Sequence, residues 1–175
     1  NSLRSARIVD ASDLVDSLKA VKSDEEVGLI RATAHMQDAC MKAVTEGIRP
    51  GMRDIEVGAM AEDVGRRHGS EQGIFLVASG PPGTAAIYGI RHYQNRVIER
   101  GDAVNILIEN SGPGGMYTEI GRTIVLGKAT AEMKEDFAFV REAQSFTASL
   151  LAESRSPAEI WERYNQHLGN HNKPK

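Results

Sequence analysis

Two glutamates, Glu109 and Glu119, are the residues whose type and spacing most directly point to chemistry. Each falls on the polar side of an alternating run, Ala103–Glu109 and Met116–Leu126, and period-two alternation marks a half-buried strand. Between them, Asn110-Ser111-Gly112-Pro113-Gly114-Gly115 reads as a hairpin turn. A turn centred near Gly114 sets the two carboxylates face to face, five residues out on either side. Like charges so placed repel. Relief could come from a metal ion, a shared proton, or a cation such as Arg91 or Arg122. A wider or bulged turn would instead keep them apart, because glycine-rich turns leave register loose.

Other reactive side chains carry weaker signals. His92 stands in Arg91-His92-Tyr93, between a Gly/Pro-rich loop and the sheet. His35, His68, His167 and His171 fall in helices or the tail. They read as structural or exposed, and no zinc site is expected from histidine or cysteine spacing. Cys40, alone of its type, sits among apolar neighbours at helical spacing and reads as a buried structural thiol. Gly80-Pro81-Pro82-Gly83-Thr84 copies the opening of a nucleotide-binding loop. Ala85-Ala86-Ile87 then stand where the phosphate-binding lysine and hydroxyl belong, so no triphosphate is held. Gly112-Pro113-Gly114-Gly115 leads into a strand, which makes it a turn rather than a phosphate cradle.

The elements that must position these groups are legible from periodicity. Ser23-Asp24-Glu25-Glu26 is a capping box opening a helix with Ile30, Ala34, Met41 and Val44 inward. That helix ends before Gly47, and Arg49-Pro50-Gly51 turns the chain. A second helix is expected from Asp54 to His68, with Ile55, Ala59 and Val64 inward and Gly69 just past its end. Ile74–Ala78 reads as a short buried strand, and helices are expected over Ala131–Ala152 and Pro157–Leu168. The predicted class is α+β: a mostly antiparallel sheet with helices on one face and the carboxylates on the open face. The later helix pair repeats the plan of Ser23–Gly69, but no sheet follows it. That pattern implies a duplicated unit of which this chain is a fragment. The expected divisions are a linker or domain remnant over residues 1–22, a first repeat over 23–128 and a truncated second repeat over 129–175.

Bulk properties narrow the function. The 175 residues suit one domain, with 41% apolar and 26% charged residues. A net charge of −3 argues against a nucleic-acid partner, which calls for a basic face. No apolar run reaches membrane-spanning length and no signal peptide opens the sequence, so a cytoplasmic location is expected.

Four segments occur here in the order of a known fold: Val77-Ala78-Ser79-Gly80-Pro81, His92-Tyr93, Asn95-Arg96-Val97-Ile98-Glu99-Arg100-Gly101-Asp102, and Tyr117-Thr118-Glu119-Ile120-Gly121-Arg122-Thr123. They resemble the pita-bread superfamily of aminopeptidase P, prolidase, methionine aminopeptidase and creatinase. The stretch Leu18-Lys19-Ala20-Val21-Lys22-Ser23-Asp24-Glu25-Glu26 is similar to the linker and first helix of the aminopeptidase P and creatinase branch. The resemblance implies a pita-bread half-domain from a hydrolase of Xaa-Pro peptides, working by metal-assisted hydrolysis of an amide bond. In that superfamily two aspartates from this half, with a histidine and two glutamates from the second sheet, hold two metal ions.

On that pattern Glu109 and Glu119 become ligands for manganese, cobalt or zinc, His92 is catalytic, and Tyr93 and Tyr117 bind substrate. The chain departs from the pattern at both aspartates. The second maps onto Glu119; the first maps onto Leu107 or Ile108, and only a shifted alignment reaches Glu109. Creatinase has lost these ligands and hydrolyses a small C–N substrate without metal, which supplies the alternative reading. A non-catalytic binding module is the third. The resemblance further implies a homodimer, and the 175 residues alone are expected to be inactive.

Overall fold

A computed structural model describes residues 6, 8–89 and 95–173. Its elements are α1 (Ser12–Ala20), α2 (Asp24–Gly47), α3 (Asp54–Arg67), β1 (Gln72–Gly80), β2 (Ala103–Ser111), β3 (Tyr117–Val125), α4 (Ala131–Ala152) and α5 (Pro157–Asn170). The strands form one antiparallel sheet in the order β1-β2-β3. The α+β expectation holds. Contacts divide the chain into two compact units, Asn1–Leu126 and Gly127–Lys175. None of the helices described is long and apolar enough to cross a membrane.

In the first unit, α2 and α3 pack on one face of the sheet. The expected capping box is present, with Ser23 N–H donating to the Glu26 carboxylate at 2.7 Å and Glu26 N–H donating to Ser23 Oγ at 3.2 Å. Alternation sends Phe75 and Val77 of β1, and Val104, Ile106 and Ile108 of β2, into a core with Met36, Cys40 and Val44 of α2. Cys40 is fully buried, and burial pushes its thiol up to about 11.

The inward face of α3 differs from the sequence reading. Val57, Gly58, Ala61 and Gly65 face the sheet, whereas Ile55 is 48% exposed and Ala59 is exposed. The helix entry sets this rotation. Asp54 is buried, and its N–H donates to the Arg96 carbonyl at 3.0 Å, which fixes the first turn. The glycines then allow close approach, since a Cβ on Gly65 would lie 3.2 Å from the Phe75 ring.

Two buried polar residues of α2 grip the hairpin. Gln37 Nε2 lies 3.2 Å from the Ile108 carbonyl, 2.7 Å from Asn110 Oδ1 and 2.6 Å from the Thr118 carbonyl, so one amide donates to both β2 and β3. Thr33 Oγ1 lies 3.1 Å from the Met116 carbonyl. Its hydroxyl also leaves room only for glycine at position 112, where a Cβ would sit 2.6 Å away.

At the other end of the sheet, Arg96 forks onto the buried Asp102 carboxylate and donates to Ser79 Oγ at 2.9 Å. Asp102 also accepts the Glu99 N–H at 2.7 Å. Burial acts to raise the Asp102 carboxyl, but the Arg96 and Glu99 hydrogen bonds hold it below its ordinary 3.8. Neighbouring Asp54 moves the opposite way. Burial lifts it above 3.8 against the pull of Ser79 and Arg96, and its Oδ1 has no hydrogen-bond partner among the described residues.

In the second unit, Thr130 and Ser156 cap α4 and α5 by accepting from Met133 and Glu159 N–H. Helix α5 runs to Asn170, past the expected end at Leu168. Ala143, Leu150 and Leu168 are buried, while Phe137, Val140, Leu151 and Trp161 are exposed.

Two predictions follow from these polar contacts. Gln37→Leu strips buried acceptors of their donor and is expected to cost about 2–3 kcal/mol, read as a fall in urea midpoint. Asp102→Ala is expected to cost about 2–3 kcal/mol at neutral pH, less than for a fully buried pair because Arg96 is 36% exposed and can hydrate. A depressed carboxyl stabilises above its unfolded value and loses that contribution as pH falls through its folded value. The gap between wild type and Asp102→Ala should therefore narrow as pH drops below 3.8.

Candidate functional site

The open face of the sheet is built by alternation. On β2 it carries Asn105, Leu107 and Glu109; on β3 it carries Tyr117, Glu119, Gly121 and Thr123. The β2–β3 register pairs Glu109 directly with Glu119, Leu107 with Gly121, and Asn105 with Thr123. The tight hairpin alternative is thus the one realised. Gly112 N–H donates to the Met116 carbonyl at 3.3 Å and Gly115 N–H to the Gly112 carbonyl at 3.0 Å. Gly114 and Gly115 take φ of +87° and +75°, a region that glycine enters without the Cβ penalty.

Glu109 is half-buried and Glu119 exposed. Directly opposed residues place their Cβ atoms about 4.5–5.5 Å apart, so both carboxylates reach one small volume. Among the described residues neither has an ion-pair partner. Arg122, one of the cations that could have relieved the pair, does not face it: it pairs in register with Ile106, on the opposite side from Glu119, and donates to the Gly121 carbonyl at 2.7 Å. Arg91, the other candidate cation, lies outside the described residues, as do His92 and Tyr93. Tyr117 is 46% exposed, two residues from Glu119 on the same face.

The positions competing for the first aspartate separate cleanly. Ile108 is fully buried in the core, and Leu107 faces Gly121 on the open side without a donor atom. Of the three, only Glu109 brings an oxygen opposite Glu119. Two hard carboxylates paired in register on an open face suit part of the donor set of a divalent ion such as manganese. A two-ion site needs more ligands than this pair supplies.

The sequence reading missed a loop laid against this face. Asn105 Nδ2 donates to the Ala86 carbonyl at 2.8 Å, and Thr123 Oγ1 donates to Asn105 Oδ1 at 2.8 Å. The loop brings in Tyr88, half-buried, whose phenol is raised above 10.0 by burial and then by the negative charge of Glu119. Alternation had placed Asn105 and Thr123 on this side; Tyr88 lies in an aperiodic segment and gave no signal.

The reading of the helical histidines also needs correction. His167 and His171 stand four residues apart, one helical turn, and Glu142 joins them with ligand atoms all within 4.8 Å of one another.

The Tyr88–Glu119 coupling can be tested. Glu119→Gln is expected to lower the Tyr88 titration midpoint while leaving it above 10.0, because burial, the larger cause, remains. Tyrosine NMR shifts followed against pH give the readout.

A model of metallopeptidase family M24 matches residues 28–174. The Xaa-Pro dipeptidase of Pyrococcus furiosus is 32% identical over 138 residues, which is 75% of this chain and 37% of that protein. The solved prolidase structure from Pyrococcus furiosus superposes with a TM-score of 0.67 and 28% identity, over 77% of this chain and 40% of that one. A creatinase of Bacillus sp. strain B-0618 is 29% identical over 135 residues, 72% of this chain and 32% of that relative. The chain therefore spans well under half the length of these relatives. The pita-bread half-domain expected from the motifs agrees with this superposition.

Proposed function

Because the chain belongs to metallopeptidase family M24, we propose that it forms part of the catalytic domain of a metal-assisted hydrolase cleaving the amide bond of Xaa-Pro peptides. The observation that carries this reading is the direct cross-strand pairing of Glu109 with Glu119 on the open sheet face. The pair, without an ion-pair partner among the described residues, would hold a divalent ion, manganese, cobalt or zinc, with further ligands from outside these 175 residues. Once bound, that ion would act as a Lewis acid toward the amide carbonyl.

The chain's own groups take the remaining roles. His92 would donate a hydrogen bond to the charge developing on the carbonyl oxygen. Tyr117, exposed beside Glu119, and Tyr93 would bind the substrate. Tyr88, its phenol held protonated by burial and by Glu119, is a neutral donor beside the acidic pair. The 84–89 loop is pinned to that side of the face through the Ala86 carbonyl. A cytoplasmic homodimer belongs to the same proposal.

One observation favours a second reading. Leu107 occupies an open-face position where a ligand oxygen would strengthen the site. A metal-independent, creatinase-like hydrolase of a small C–N substrate would need no such ligand. His92 would then move the proton, and Glu109 and Glu119 would orient the substrate.

Manganese separates the two. It is expected to raise the melting temperature of the whole protein, and Glu109→Gln with Glu119→Gln should abolish the rise. No rise in the whole protein removes the metal reading. The whole protein is expected to cleave Xaa-Pro dipeptides, whereas the 175 residues alone should not; cleavage by this chain would show that no outside ligands are needed.

A further inference from the structure

The second unit contains a cluster of donors that the sheet-face chemistry does not use. His167 lies on α5 with its side chain 13% exposed, its ring stacked on Phe146 at 4.6 Å and on Phe139 at 5.8 Å between centroids. Its Nε2 is buried and has no hydrogen-bond partner among the described residues. The nearest acid is Glu142 of α4, whose Oε1 stands 3.9 Å away, beyond hydrogen-bonding range. A ring nitrogen enclosed by aromatic rings and left unmatched is unfavourable in the protein alone.

His171, one turn later, is oriented for the same point. Its Nδ1 lies 2.9 Å from the His167 carbonyl oxygen. A carbonyl oxygen only accepts, so Nδ1 carries the proton and the neutral ring presents its Nε2 lone pair. Donation of Nδ1–H to a backbone carbonyl is the support that orients metal-ligating imidazoles. The rings of His167 and His171 are 4.5 Å apart.

We propose that Glu142, His167 and His171 form a site for a borderline transition-metal dication, zinc foremost, joining α4 to α5. Two imidazoles and one carboxylate match the ligand types that zinc takes, and three protein ligands leave a fourth position for water. The 3.9 Å gap between His167 Nε2 and Glu142 Oε1 lies within the span of two coordinate bonds of about 2.1 Å each. Glu142, with 61% of its side chain exposed, and the exposed His171 have freedom to close the wider separation, up to 4.8 Å. The site rests on residues of α4, α5 and the cap of α5 and is independent of the hydrolase reading.

Zinc chloride titrated by calorimetry into the 175-residue chain carrying Glu109→Gln and Glu119→Gln tests it, because the sheet-face carboxylates are then neutral. One ion is expected to bind, with the imidazole nitrogen resonances of His167 and His171 shifting in NMR spectra and the melting temperature rising. Adding Glu142→Gln or His171→Gln should each weaken binding by at least about tenfold. Glu142 is exposed enough that its variant should fold even if the histidine variant does not. Absence of zinc binding, unmoved histidine resonances, or undiminished affinity in a folded variant of either kind overturns the proposal.

Discussion

The grip of Gln37 on the β2–β3 hairpin is the constraint from which the candidate site follows. One side-chain amide meets a carbonyl on each strand and the Asn110 side chain between them. These bonds are satisfied together only in one register. A slip of one residue would reverse every side chain of a strand between core and solvent. It would bury Glu119 against α2 and expose Ile120. The helix layer thus decides, from the far side of the sheet, which side chains the open face presents.

The same unit handles charge in two contrasting ways. Near Arg96, acid and base are matched: Asp102 is buried, forked by guanidinium and capped by a backbone N–H. On the open face, the backbone ladder holds Glu109 and Glu119 opposite one another with no cation among the described residues. Matched charge serves cohesion, and unmatched charge held in place by the fold is what a binding site requires. Arg96 also donates to Ser79 at the end of β1, so the matched pair ties the chain before β2 to the sheet.

Much of this was legible in the sequence where period and chemistry agree. Alternation along Ala103–Glu109 placed the glutamates on the polar side, and glycines at 114 and 115 supplied the turn that pairs them. Legibility failed where a polar residue acts as core. Thr33 and Gln37 look like solvent positions on α2, yet they are buried because the hairpin carbonyls need donors. Asp54 turned α3 away from the face that Ile55 seemed to define. Tyr88 came from a loop with no periodicity. His171 was assigned to the tail because the helix was expected to stop at Leu168; two further residues of helix bring it over His167.

The enclosure of Cys40 carries a further consequence. The chain has no other sulfhydryl, and this one is shut beneath α3 with its ionisation suppressed. Alkylation needs the thiolate and access to it, so it reports separation of α2 and α3 from the sheet. The fold thus carries a native, residue-specific probe of the opening of one unit. The rate at which the thiol is trapped would measure opening of the sheet-containing unit, without any added label.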